Sequence, residues 1–292
     1  MEHIKLHSCP SCNSEKLTDG MCVKDHFLSK EVFTLTQCED CLLLFTNPRP
    51  DKSVISDYYK SEDYVSHSSS KKGLVNRVYN VVRNVTLNKK FRLIERVSSG
   101  KRLLDIGAGS GHFVARMRKG NYEVTGLEPD PDARAVCEAL NGLQLEPLEK
   151  LYADNLGTFD VITMWHVLEH VYDLQDDLKR ISSLVNNGGV FVVAVPNYKS
   201  YDANYYQDYW AAYDVPRHLY HFEPASIIPM IQKYGFDHLE TLPMKFDSYY
   251  VSMLSEKYKG GSIFRAVWIG WMSNLRSSNG KCSSQIYIFK KK

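Results

Sequence analysis

From Lys101 onward the chain alternates short apolar runs with stretches of helical period. Residues Arg102 to Ile106 read as a strand, Gly111 to Lys119 as a helix and Tyr122 to Leu127 as a second strand. Asp130 is placed to cap the next helix, with Pro131 at its first position. Phe159 to Met164 predicts another strand, followed by a helix and a buried strand, Val190 to Val195. A helix over Pro224 to Tyr234, stopped by Gly235, and a last strand over Ser284 to Phe289 complete the series. Such alternation predicts an α/β fold, a mostly parallel sheet with helices on both faces. Upstream, Leu74, Val78, Val81, Val82 and Val85 recur at helical spacing, so residues 71–97 predict one or two amphipathic helices. Residues 198–222 are aromatic and polar without a period.

At 292 residues the chain has room for a main domain and a smaller appendage. Its 36 basic and 34 acidic residues nearly cancel, so whole-chain charge does not point to nucleic acid. The N-terminus lacks the apolar stretch of a signal peptide. The most apolar late run, Ile263 to Met272, is broken by Arg265 and falls short of the roughly 20 residues of a membrane span. Seven cysteines, four of them in two close pairs, suit metal binding in a reducing cytoplasm better than disulfides.

The segment Asp105-Ile106-Gly107-Ala108-Gly109-Ser110-Gly111 follows the first strand of the series. Glycines at a strand-to-helix turn let backbone approach a ligand that a Cβ would exclude. The second strand ends at Glu128, 17 residues after Gly111, where a carboxylate can accept from both hydroxyls of a ribose. Loop and acid together read as a nucleoside-cofactor site. A dinucleotide fingerprint would place its third glycine at position 112, which is His112, so a nicotinamide oxidoreductase is the disfavoured alternative.

The spacing of Asp105, Gly107, Gly109 and Gly111 resembles the first motif of class I S-adenosylmethionine-dependent methyltransferases. The stretch Gly157 to Val171 resembles that family's fourth-strand motif, and Leu184 to Gly189 the turn before its fifth strand. Residues 214–222, Asp-Val-Pro-Arg-His-Leu-Tyr-His-Phe, resemble bacterial members linked to sugar, lipid, envelope or secondary-metabolite chemistry. The resemblance implies a Rossmann-like, seven-stranded sheet and S-adenosyl-L-methionine as cofactor. It implies that Asp105, Gly107, Ala108, Gly109, Gly111, Glu128 and Pro129 hold the cofactor, with Leu148 and Glu149 beside the adenine. Trp165 and His166 would then lie near the sulfonium methyl.

Cys9-Pro-Ser-Cys12 and Cys38-Glu-Asp-Cys41 are two C-x-x-C knuckles. Four thiolates so spaced can surround Zn²⁺ as a closed, structural site. A module of about 45 residues has too little core to fold alone, so metal would stabilise it. A thioredoxin-like redox pair would need one such motif, not two. The sequence after the second knuckle resembles zinc-ribbon methyltransferases, among them sugar C-methyltransferases, whose further large C-terminal domain this chain lacks. Cys22, Cys137 and Cys282 read as plain core or surface thiols.

The expected organisation is a zinc ribbon over 1–48, a linker with basic helices over 49–99, and the methyltransferase domain over 100–292 with a lid at 198–222. An oxygen or nitrogen acceptor needs a base, and His218, His221 and His166 are the candidates, in that order. Tyr205, Tyr206, Tyr209 and Trp210 either wall an acceptor pocket or pack a lid. His166-Val-Leu-Glu169-His170 also fits the inverted zinc-protease pattern, but it falls at a strand end of a complete α/β fold, which favours Glu169 and His170 as loop-orienting residues. A second divalent cation at this cluster is the lesser alternative. Ten Lys or Arg against one acid between residues 71 and 102 read as a solvated helix face, or else as attraction for an anionic acceptor. The rival from another class is a zinc-ribbon nucleic-acid-binding protein, against which Asp105, Gly107, Gly109 and Glu128 argue.

Overall fold

A computed structural model describes residues 2–59, 74–277 and 280–292. Its main sheet contains β6 (Arg102–Ile106), β7 (Glu123–Leu127), β8 (Phe159–Trp165), β9 (Val185–Pro196), β11 (Phe236–Pro243) and β12 (Ser284–Lys291). Their order is β11-β12-β9-β8-β6-β7. β6 runs parallel to β7 and β8, and β8 parallel to β9; only β12 runs against its neighbours. The sheet is thus Rossmann-like and mostly parallel, as expected. Among the described residues it has six strands rather than seven. The missing place beside β7 is held by a single parallel bridge, Leu127 to Glu146.

Helices cover both faces, and the strand period of two sorts the core between them. Leu104, Ile106, Ile162, Met164, Phe191 and Val193 face α4 (Leu174–Leu184) and α6 (Pro224–Gln232). Leu103, Val161, Val190, Val192 and Ala194 belong to the opposite cluster, with α1 (Leu74–Val97) and α2 (His112–Arg118). The amphipathic stretch is therefore one long helix from Leu74; residues 71–73 lie outside the described residues. The predicted cap is present: Asp130 accepts from the Asp132 N–H at 3.0 Å at the start of α3 (Pro131–Asn141).

The N-terminal residues form β2 (Leu17–Lys24), β3 (Val32–Cys38) and β4 (Leu44–Thr46), while β1 (His3–Ile4) pairs with β5 (Arg49–Pro50). The edge of this second sheet comes from far along the chain. β10 (Tyr220–His221) pairs antiparallel with β4, with Tyr220 opposite Phe45 and His221 opposite Leu44. Nearby, buried Arg217 binds Asp25 at 2.9 Å and Asp214 at 2.7 Å, joining the two parts by charge as well.

Residues 198–222 are not an outer lid. Tyr206 and Trp210 are at most 2% exposed and share a cluster with Phe33, Leu35 and Tyr58. α5 (Tyr201–Tyr206) and two short 3-10 turns carry this segment, and Tyr206, Trp210 and Tyr213 pack in one cluster with N-terminal sheet residues and with Val251 and Ile269 from the two helices between β11 and β12. Between β11 and β12 the chain makes two helices, α7 (Asp247–Lys259) and α8 (Ile263–Leu275). They pack closely at Gly270, where a Cβ would come within 3.0 Å of the Ser248 carbonyl.

Candidate functional site

Gly107, Gly109 and Gly111 all take positive φ, which explains three glycines in five residues. A Cβ on Gly107 would meet Val167 at 2.4 Å, and one on Gly111 would meet the Cys137 sulfur at 2.1 Å. Gly109 faces open space. Its N–H donates to Glu128 Oε2 at 2.7 Å, and the Asp130 N–H donates to Oε1 at 3.0 Å. The loop between β6 and α2 and the end of β7 therefore converge on one buried carboxylate. Burial raises the pKa of Glu128 despite those two donors. Ala108 lies half-buried in the loop, and Pro129 is exposed beside Glu128. Leu148 and Glu149 begin a 3-10 turn just past the Glu146 bridge, Leu148 half-buried and Glu149 exposed.

Asp105 is buried on β6, beside the edge strand β7, and accepts from Thr163 Oγ1 at 2.6 Å. Burial pushes its pKa up to about 7, although Thr163 and Lys90 oppose the shift. Lys90 extends from α1 with its ammonium 4.1 Å from the Trp165 ring centre. Burial lowers its pKa to about 8, against the pull of Asp105 and Asp247. The indole N–H of Trp165 is buried without a partner among the described residues. Lys90 was hidden in the basic run, where it reads as one more solvated charge. Trp165 and His166 follow the apolar run of β8, which is why sequence alone singled them out.

His166 takes a positive φ of 59° and hands its N–H to the Ala194 carbonyl of β9. Its ring lies between two carboxylates, Nδ1 3.2 Å from Glu169 Oε1 and Nε2 2.8 Å from Asp247 Oδ2. Burial disfavours the charge, but Asp247 and Glu169 outweigh it and raise the pKa to about 10. An imidazolium so held has no lone pair to offer, which corrects its candidacy as a base. Nothing in the local sequence signals Asp247, 81 residues away.

His218 meets Glu169 and His170, with ligand atoms of the three within 4.8 Å of one another. The His218 Nδ1–H donates to the Ala212 carbonyl at 2.8 Å, which leaves Nε2 as the acceptor nitrogen. The His170 ring stands edge-on at 4.5 Å and donates through Nδ1 to the Arg217 carbonyl at 3.0 Å. Burial lowers the His170 pKa to about 4, so this ring is neutral. Glu169 Oε2 is buried without a partner among the described residues. His221 is not part of this group. Its Nε2 lies 3.3 Å from Thr46 Oγ1, within the β10–β4 joint, and burial drives its pKa well below the usual value. The two residues between 218 and 221 send the two rings to different surroundings.

The four knuckle cysteines come together, each sulfur within 4.8 Å of the others. Cys9 and Cys41 are 3.5 Å apart, as are Cys12 and Cys38. Zn–S bonds of about 2.3 Å imply sulfur separations near 3.8 Å in a tetrahedron, close to this spacing. The two knuckles also share one backbone form. Asn13 and Leu42, each following the second cysteine, have φ near +62° and donate to the Cys9 and Cys38 carbonyls. This four-sulfur set fits a soft divalent metal, whereas sulfurs at 3.5 Å form no disulfide.

The pattern around β6, β7 and β8 is that of a known family: residues 83–241, more than half of the chain, match the methyltransferase domain. The chain belongs to the methyltransferase-domain family. It is 37% identical to the ubiquinone biosynthesis O-methyltransferase of Vibrio parahaemolyticus over 111 residues, 35% of this chain and 47% of that one. The Escherichia coli K12 protein of the same name is 36% identical over 97 residues, 31% of this chain and 40% of its own length. This methyltransferase-domain chain thus spans less than half the length of these curated relatives. Magnesium protoporphyrin IX methyltransferase from Synechocystis PCC 6803, solved with bound SAH, superposes with a TM-score of 0.53 at 13% identity. That match covers 83% of this chain and 100% of the other. The [4+2]-cyclase SpnF matches with a TM-score of 0.50 at 15% identity, over 70% of this chain and 80% of its own. Likeness at such identities shows the fold alone, and the cyclase is a reminder that this fold serves more than one reaction.

Proposed function

We propose that this methyltransferase-domain chain transfers the methyl group of S-adenosyl-L-methionine to a hydroxyl of a small-molecule acceptor. The observation that carries the reading is the pairing of Gly109 with Glu128 at the carboxyl ends of β6 and β7, where doubly wound folds bind their ligands. In this reading Glu128 accepts from the ribose hydroxyls, and Asp105 with Gly107, Ala108 and Gly111 receives the methionine end. Pro129, Leu148 and Glu149 border the adenine, and Trp165 and His166 face the methyl-bearing end. The cofactor supplies an electrophilic methyl group on a sulfonium. His218 then takes the acceptor proton at Nε2, while Glu169 and His170 hold the surroundings of that nitrogen. The cationic His166 orients Glu169 and Asp247. Alignment of donor and acceptor supplies much of the acceleration in such an in-line displacement.

Cys9, Cys12, Cys38 and Cys41 hold one structural zinc in this proposal, and a closed four-cysteine set leaves no position for substrate. We place the zinc ribbon at residues 1–48, the linker and basic helices at 49–99 and the methyltransferase domain at 100–292, working in the reducing cytoplasm. The test is calorimetric titration of the metal-loaded protein with S-adenosylhomocysteine. Saturable one-site binding is expected, and a flat titration overturns the reading.

A further inference from the structure

A surface helix buries one stripe and offers polar residues to water. α8 departs from this rule. Ala266, Ile269, Gly270 and Ser273 face inward. The remaining face carries Ile263, Phe264, Val267, Trp268, Trp271 and Leu275, all exposed, Phe264 to 84% and Trp268 to 56%. Successive steps of 100° put these six side chains on one continuous arc. α7 adds Phe246, just before its first residue, and Met253, also exposed. Single exposed apolar residues need no explanation, but a contiguous patch with two tryptophans does.

The charges around the patch are mostly basic, though Arg265 lies 4.0 Å from Glu256. Residues 245–281 contain six bases (Lys245, Lys257, Lys259, Arg265, Arg276 and Lys281) and two acids, Asp247 and Glu256. Asp247 is turned inward to His166, and Glu256 is buried. The basic face of α1 continues this rim. Exposed Lys89 lies 4.9 Å from the Phe246 ring, and exposed Arg92 follows it on the outside of the same helix, while Arg96 one turn further is paired with Glu240 at 2.6 Å.

We propose that the α7–α8 hairpin docks on an anionic lipid bilayer. Aromatic and aliphatic side chains sink to the headgroup level while a rim of Lys and Arg meets lipid phosphates, the arrangement of an interfacial helix. With 13 residues α8 is about 20 Å long, too short to cross a bilayer core of about 30 Å, so it lies in the interface plane. A second copy of the chain is the poorer occupant. A self-complementary contact through this face would bring two mostly basic rims together, and the nearby Glu240 and Glu256 are already beside Arg96 and Arg265 of their own copy. The proposal rests on the surface alone and holds for any acceptor.

The test uses the full-length protein and vesicles of phosphatidylcholine, alone or mixed equally with phosphatidylglycerol. The protein should co-sediment with the mixed vesicles and little with the neutral ones, and added salt should release it. Brominated acyl chains in the mixed vesicles should quench its tryptophan fluorescence, which needs no variant. The exposed pair Trp268→Ser and Trp271→Ser should weaken partition by roughly tenfold or more, with an unchanged circular dichroism spectrum. Absence of wild-type partition, equal partition into both vesicle types, or partition without bromine quenching overturns the proposal. So does a lipid-independent dimer in equilibrium sedimentation that the same two substitutions dissolve.

Discussion

His166 Nε2 donates to Asp247 Oδ2 at 2.8 Å, tying the end of β8 to the first residue of α7. The imidazolium is stabilised by this carboxylate and by Glu169, so folding and protonation are linked. The folded pKa is about 10, against an ordinary value of 6.5. Its contribution to stability is therefore complete below the unfolded pKa and is lost as pH rises through the folded one. Melting temperatures of wild type and His166→Gln should differ most near pH 6 and converge towards pH 10. A difference that stays constant over that window would show that His166 is not held as a cation.

Glu128 should dominate cofactor affinity. If Glu128 holds the ribose as proposed, Glu128→Ala removes two charge-assisted hydrogen bonds of roughly 1.5–3 kcal/mol each, so the affinity for S-adenosylhomocysteine should fall by roughly a hundredfold or more. Titration calorimetry reads the change. Because Glu128 also holds the Gly109 and Asp130 N–H groups, a melting curve of the variant separates lost binding from lost fold. Unchanged affinity would remove Glu128 from the cofactor site.

The knuckles should retain metal through purification. Elemental analysis of protein prepared without chelators is expected to give about one zinc per chain, and Cys9→Ser with Cys12→Ser should abolish it. A metal-free wild-type protein, or disulfides at these pairs under native redox conditions, would contradict the assignment.

His218→Asn offers the sharpest test of the base. The asparagine amide can keep the donor to the Ala212 carbonyl but cannot accept a proton where Nε2 stood. Turnover should fall by roughly 10²–10⁴-fold with cofactor affinity unchanged. Near-normal turnover in a well-folded variant would leave the proton to another group.

The central strands were legible because their apolar runs are bounded by glycines and by Asp130-Pro131, and because they are buried on both faces. The α7–α8 hairpin was not. α7 turns Ser248, Ser252, Ser255 and Glu256 inward, so its buried stripe is spelled in polar letters. α8 is apolar on both faces, so it has no period to read. The glycine loop and Glu128 were legible because they lie on consecutive strand ends. The Glu169–His170–His218 group was not, because it forms where two loops separated by 48 residues meet. His221, the second candidate base, lies apart from that group because β10 places its ring beside Thr46.

The pairing of β10 with β4 has a practical corollary for anyone dissecting the chain. The cysteine-rich segment is not a removable cassette, since it lends a sheet to which residues 220–221 must attach. A fragment starting near residue 50 would keep Tyr220 and His221 as an unsatisfied edge, and Arg217 would lose its carboxylate at Asp25. Such a truncation should yield insoluble protein, whereas point changes at the metal ligands should give a soluble chain that melts early.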